Sequence, residues 1–169
     1  GVIHNLASND ESALGQIRTW LSYLPSSAWQ APIRLADAEG ERTVNELLDI
    51  IPENPRQAYD MHDVINIVAD SGSVFTIQPM FGQSLITCFA RLSGRPVAIV
   101  ANQPHHMAGS ITVEAADKAT QFIQVADSFH LPLIFLTDNP GVLAGSSSEK
   151  AGILRHAGRM FLAQHHATV

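Results

Sequence analysis

Two short loops carry the residue types from which a ligand site could be built. The first is Asn102-Gln103-Pro104-His105-His106-Met107-Ala108-Gly109-Ser110. It leaves an apolar run at Pro96–Ala101 and leads towards a helical pattern at Ala115. The second, Asp138-Asn139-Pro140-Gly141-Val142-Leu143-Ala144-Gly145-Ser146, leaves Leu131–Thr137 and leads into a helix near Ser146. In open α/β folds, ligands gather beyond the carboxyl ends of strands, where loops and helix starts expose unpaired backbone amides. Gly109, Gly141 and Gly145 let a ligand approach the backbone closely. Such amides stabilise an oxyanion without any titrating side chain. Ordinary turns use Pro-Gly and Ala-Gly too, and spacing alone does not separate the two readings.

Other chemistries are less well served. The eight histidines include the doublets His105-His106 and His165-His166. Neighbouring residues on a strand or helix point in different directions, so a doublet rarely gives one metal two ligands, and no H-E-x-x-H pattern occurs. No metal is expected. His105 could hydrogen-bond a ligand from its loop or simply be solvated; Arg155 and His156 could meet solvent or a partner subunit. Gly145–Lys150 lacks the G-x-x-x-x-G-K-[ST] spacing of a phosphate loop, and its serines do not form a G-x-S-x-G elbow. Helix capping is the better role for Ser146-Ser147-Ser148-Glu149. Cys88 reads as a small buried hydrophobe, Trp20 and Trp29 as packing residues, and Asp117-Lys118 as a solvated pair at a helix start.

The elements that must position these loops follow from periodicity. Ser8-Asn9-Asp10-Glu11 has capping-box spacing, and Leu14, Ile17, Leu21 and Leu24 then share one helical face until Pro25. Residues 28 to 42 read as a linker, 45 to 51 as ambiguous, and Pro52-Glu53-Asn54-Pro55 as a turn. A second helical pattern covers 60 to 69, through Met61, Val64, Ile65 and Val68. A short strand is expected at 74 to 78, and a hairpin pairs 85 to 92 with 96 to 101 across Ser93-Gly94. Ala115, Ala119, Phe122 and Ala126 form a narrow face suited to lying on a sheet. Leu131–Thr137 reads as a strand covered on both faces. Ile153, Ala157, Met160 and Phe161 continue a last helix to about Gln164. Strand pairs followed by helices indicate α/β layers. A further strand is expected to start at Ala167-Thr168-Val169, so the chain is expected to be a fragment.

The 169 residues, 46% apolar and 15% charged, suffice for a real core and are too apolar for disorder. A net charge of −6 without a basic stretch makes a nucleic-acid partner a poor fit. The apolar runs fall far below the roughly 20 residues that cross a bilayer, and no charged-then-apolar leader is visible. One cysteine excludes an internal disulfide framework. A cytoplasmic location is expected.

Several segments in order are specific. They are 47 to 60 (LLDIIPENPRQAYD), 89 to 104 (FARLSGRPVAIVANQP), Ala108-Gly109, Ala116-Asp117-Lys118-Ala119, and Asp138-Asn139-Pro140-Gly141 with Glu149 and Arg155-His156. With these the chain resembles, over essentially its whole length, the carboxyltransferase (beta) subunit of biotin-dependent acyl-CoA carboxylases of the propionyl-CoA carboxylase type. The resemblance implies a crotonase-like α/β fold of ββα layers, incomplete in this chain. Residues 1–30 would end an N-terminal domain, 31–54 would link, and 55–169 would form the first half of a C-terminal, biotin-side domain. It implies transfer of a carboxyl group from the ring nitrogen of carboxybiotin to the α-carbon of an acyl-CoA, with backbone amides holding the charges on the thioester and ureido oxygens.

In the family the biotin-side amide pair follows the next strand, beyond Val169, so no catalytic residue is assigned here. Gly109, Ser110, Pro140, Gly141, Val142, Gly145 and Ser146 would wall the biotin pocket. The second loop departs from the family at Val142-Leu143-Ala144-Gly145-Ser146, where many members have a Phe and a second Pro. Implied partners are the biotin carboxyl carrier and biotin carboxylase subunits, the latter taking Mg2+ and ATP, and further copies of the chain in dimers and hexamers. Two alternatives share these loops: an acyl-CoA decarboxylase subunit feeding a membrane pump, and a non-catalytic scaffold. A crotonase-type hydratase or isomerase fits less well, because no placed pair of glutamates is evident.

Overall fold

The computed structural model describes residues 1–27, 29–36, 40, 43–54 and 57–169. Parts of the expected linker (28, 37–39, 41–42) and Pro55-Arg56 of the expected turn lie outside the described residues.

A four-stranded sheet organises the chain. Strands β1 (Phe75–Ile77), β2 (Leu85–Leu92), β3 (Arg95–Asn102) and β4 (Leu133–Leu136) lie side by side in sequence order. The first three are antiparallel, and β4 runs parallel to β3. The β2–β3 hairpin closes where expected. Ser93 and Gly94 have φ of 49° and 76°, the left-handed pair that a two-residue hairpin turn requires. The Asp70 carboxylate accepts from both turn amides, at 2.8 and 2.6 Å.

Alternate side chains of the central strands feed two cores. Leu85, Phe89, Ala98 and Val100 face the helices α4 (Val113–Ser128) and α6 (Ile153–His166). Ile86, Cys88, Ala90, Val97, Ile99 and Ala101 face α3 (Met61–Val68) through Met61, Ile65 and Ala69. Covered on both faces, β2 and β3 need no polar alternation. The alanines at 115, 119 and 126 are fully buried and let α4 lie close against the sheet.

The first helix, α1 (Asp10–Ser22), is capped by Asn9 rather than Ser8, because the extended Asn9 backbone brings its Oδ1 to 2.8 Å from Ser12 N. Leu14, Ile17 and Leu21 are about half exposed. The helix docks through its end instead. Trp20 meets the Phe129 ring edge-on, and Tyr23 stacks on Phe89 and donates to Ser73 O. Arg91 locks this joint by donating to Ser22 O at 2.7 Å and Gly94 O at 3.2 Å while lying over the Tyr23 ring. Trp29, read as a packing residue, is 95% exposed.

Five other readings are settled or changed. The ambiguous segment forms one helical turn, α2 (Leu47–Ile50). The serines do not cap: Gly145 is the N-cap of α5 (Ser146–Lys150), with no side-chain bond, so Ser146 already lies inside the helix. Phe161 faces outward, since Ile153, Ala157, Met160 and Ala163 take the buried stripe of α6 and Phe161 stands about 100° round from Met160. β4 is shorter than 131–137 and only partly covered, with Phe135 40% exposed, because among the described residues only β3 pairs with it. Residues 167–169 form no strand here; Thr168 donates to Asp127 Oδ1 from its amide and its hydroxyl. No helix among the described residues is long and apolar enough to cross a membrane.

Candidate functional site

The parallel pairing of β3 with β4 puts the two expected loops side by side at the carboxyl ends of both strands. They are joined directly. Ile111 N donates to Gly141 O and Leu143 N to Ile111 O, forming a parallel bridge between Ile111 and Val142. Asn139 Nδ2 donates to Asn102 Oδ1 at 2.9 Å, and Asn102 Nδ2 donates to Gly109 O at 2.9 Å. Asn139 Oδ1 accepts from Gly141 N at 2.7 Å, which shapes the Pro140-Gly141 turn.

Gly109 lies at the closest approach. A Cβ there would sit 2.5 Å from Asp138 O and 3.2 Å from Asn102 Cβ. Its turn is unusual, because Met107, Ala108 and Gly109 all have left-handed φ, at 52°, 53° and 73°. Non-glycine residues hold such a conformation only where their surroundings impose it, and ligand sites are where it concentrates. The Ser110 hydroxyl donates back to Met107 O at 2.7 Å and fastens the turn.

Of the expected site residues, Gly109 and Ser110 are buried, Gly141 and Val142 partly so, and Pro140, Gly145 and Ser146 are exposed. Gly109, Ser110, Gly141 and Val142 come together around the bridge. Gly145 and Ser146 stand farther along, where α5 begins. A Cβ on Gly141 or Gly145 would meet nothing within 4 Å, although their φ of 114° and 132° suit glycine alone. The backbone there borders open space that a side chain would fill.

A polar cluster braces the first loop. Asp60 caps α3 by accepting from His62 N, and its Oδ1 also accepts from Gln103 Nε2 at 2.7 Å and lies 2.9 Å from His62 Nδ1. Gln103 Oε1 accepts from Met61 N and His105 N. Burial raises the Asp60 pKa, but the bonds from Gln103 and from His62 outweigh it and bring it down to about 2 from 3.8. Stability from this group is therefore complete above 3.8 and is lost as pH falls through about 2. The carboxylate is 40% exposed, so solvent screening limits its worth to about 1 kcal/mol. In urea unfolding, Asp60→Asn is expected to be less stable than the parent by that amount at pH 6, with the gap narrowing steadily below pH 4.

At the second loop, Tyr59 donates to Asp138 Oδ2 at 2.8 Å. Burial and that carboxylate push the phenol up to about 12. Cys88 is fully buried, and burial raises its thiol to about 12, so it is no nucleophile. Among the described residues, no three His, Cys, Asp or Glu side chains converge on a point that could hold a metal.

The solvated Asp117-Lys118 pair is overturned. Lys118 is 2% exposed and points into the protein, while Asp117 Oδ1 lies 2.6 Å from His156 Nδ1 and ties α4 to α6. Helical spacing held the signal for Lys118, which falls within the buried stripe 115, 118, 119, 122. The asparagine pair had no such signal, since nothing in sequence puts residue 102 next to residue 139.

The carboxyl transferase domain family matches residues 1–169. The chain is 42% identical over 170 residues to the propionyl-CoA carboxylase carboxyltransferase subunit of Haloferax mediterranei, and 39% identical over 170 residues to the methylmalonyl-CoA decarboxylase subunit alpha of Veillonella parvula. Each match takes in 100% of this chain and 33% of the relative, so the chain spans about a third of the length of the curated relatives it matches. Among solved structures, transcarboxylase 12S, a hexamer with methylmalonyl-coenzyme A bound, superposes with a TM-score of 0.95 at 38% identity. That match covers 99% of this chain and 33% of the other. The α/β layering is therefore the crotonase-like fold that the resemblance implied, present in part. With its ordered motifs, its joined loops and this full-length match, the chain belongs to the carboxyl transferase domain family.

Proposed function

We propose that this chain supplies the biotin-side wall of a carboxyltransferase that moves a carboxyl group from carboxybiotin to the α-carbon of an acyl-CoA. The reading rests on one observation above all: two post-strand loops are locked together, while the backbone at Gly141 and Gly145 stays open towards solvent. That arrangement suits a flat, uncharged ring met by backbone and small side chains, and biotin fits it. When bound, biotin supplies a ureido nitrogen able to carry the carboxyl group. The chain's own part is to bind and orient: Pro140 to Val142 and Gly145-Ser146 form the wall, and Gly109-Ser110, held through Asn102 and Asn139, fixes its position. Catalytic amides are assigned to no residue of this chain.

In the same reading, residues 1–30 end an N-terminal domain, 31–54 link, and 55–169 begin the biotin-side domain. The partners are a biotin carboxyl carrier, a biotin carboxylase subunit and further copies of the chain, working in the cytoplasm. The Veillonella parvula relative supports a second reading, an acyl-CoA decarboxylase subunit. Sodium dependence of the assembled complex separates the two.

Gly145→Val in the full-length protein tests the wall. Transfer to free biotin is expected to fall about 10- to 100-fold while acyl-CoA binding stays near the parent value. Equal loss of both, or loss of neither, overturns the assignment.

A further inference from the structure

Among the described residues, the Lys118 ammonium meets no carboxylate. Its three N–H groups are shared among four backbone carbonyls of the β1–β2 connection and the first residue of β2: Leu85 O at 2.7 Å, Phe81 O at 2.8 Å, Gln78 O at 3.1 Å and, as the long contact, Gly82 O at 3.5 Å. A buried cation without an anionic partner persists only where dipoles replace its hydration shell. These four oxygens, all from residues 78 to 85, do so as an oxygen cage does around a desolvated monovalent ion. Burial draws the amine down to about 8, which leaves it charged at neutral pH.

The caged segment touches both ends of the first candidate loop. Ser84 O accepts from Gln103 N at 2.9 Å at the start of the loop. Gly82 packs on the first turn of α4 at its end, where a Cβ would lie 2.9 Å from Ala115 N and Glu114 O. The Thr112 cap of α4 directly follows Ile111, which makes the bridge to the second loop. The cage thus stands between the ammonium and the loop, in contact with both.

We propose that residues 78–85 form a binding cage for a primary ammonium or similar small monovalent cation, filled here by the tethered ammonium of Lys118, and that Lys118 is thereby the positioning residue for the loop 103–112. The proposal concerns loop geometry and its test needs no turnover, so it stands or falls separately from the biotin-side reading.

The test compares Lys118→Ala and Lys118→Met in the full-length protein by hydrogen exchange and thermal unfolding. Lys118→Ala removes the cation and leaves room for a replacement. It is expected to lower Tm by roughly 5–10 °C and to speed exchange at the Gln103 and Ile111 amides at least tenfold. Ethylammonium chloride is expected to restore both readings, and tetramethylammonium chloride at equal ionic strength to restore neither, since it donates no hydrogen bond and is too bulky for the cage. Lys118→Met keeps the methylene packing without the charge and is expected to lose the same loop protection. Two results overturn the proposal: the two ammonium salts acting alike on Lys118→Ala, or Lys118→Met keeping parental exchange at Gln103 and Ile111. If Lys118→Ala does not fold, the Lys118→Met exchange decides alone.

Discussion

Gly109→Ala is expected to destabilise the full-length protein by about 2–4 kcal/mol and to disable the candidate site with it. Two costs add. A left-handed φ of 73° costs an alanine about 1 kcal/mol. The second cost is steric: the new methyl would stand 2.5 Å from Asp138 O, a backbone atom that no rotamer change can move. Relief requires the two loops to separate, which strains the Ile111–Val142 bridge and the Asn102–Asn139 bond. Gly72→Ala is the matched control, because Gly72 has φ of 68° and nothing within 4 Å of its Cβ position. Urea unfolding should show about 1 kcal/mol lost for Gly72→Ala, with the excess for Gly109→Ala measuring the close approach. Equal losses in the two variants would mean that the loops do not meet as described.

Phe89→Ala is expected to cost about 3–5 kcal/mol, seen as a Tm lower by roughly 8–15 °C. Phe89 is 1% exposed at the centre of β2, with the Phe122 ring centroid 4.9 Å away and the stacked Tyr23 ring 5.7 Å away. Its removal opens a cavity under α4 and takes away the platform on which Tyr23 stacks. Tyr23 carries the Arg91 guanidinium, so the loss reaches the α1 joint. A cycle of Phe89→Ala with Tyr23→Ala should show coupling of about 1 kcal/mol, whereas full additivity would place the two rings in independent environments.

The sheet and the two loops that follow β3 and β4 were legible in the sequence because they rest on short-range signals. The Ser93-Gly94 pair between two apolar runs made the hairpin visible, and the alanine stripe identified the sheet-facing side of α4. The failures share one cause, dependence on what lies across space. Ser8 and Asn9 both have capping chemistry, and only the backbone angle of Asn9 decides between them. Trp29 has the composition of a core residue, yet it is 95% exposed. The charge of Lys118 points to solvent, whereas its helical position puts it inside. The bracing of the candidate site by Asn102–Asn139, Gln103–Asp60 and Tyr59–Asp138 spans 37, 43 and 79 positions, separations that no periodicity reports. The family motifs conveyed more than the local rules here, because they bring such long-range pairs together without explaining them.

The partial cover of β4 bears on how the molecule behaves at high concentration. Among the described residues its second edge is unpaired and presents a row of backbone donors and acceptors beside half-buried Leu133, Ile134 and Leu136 and an exposed Phe135, with no proline or charged side chain inside the strand. Proteins commonly blunt such edges with lysines, prolines or bulges, because an open edge templates the addition of strands from other molecules. Studied apart from whatever covers that edge, the 169-residue chain carries a ready nucleus for intermolecular strand pairing. Its colloidal stability then depends on what lies beside β4 more than on the depth of its cores.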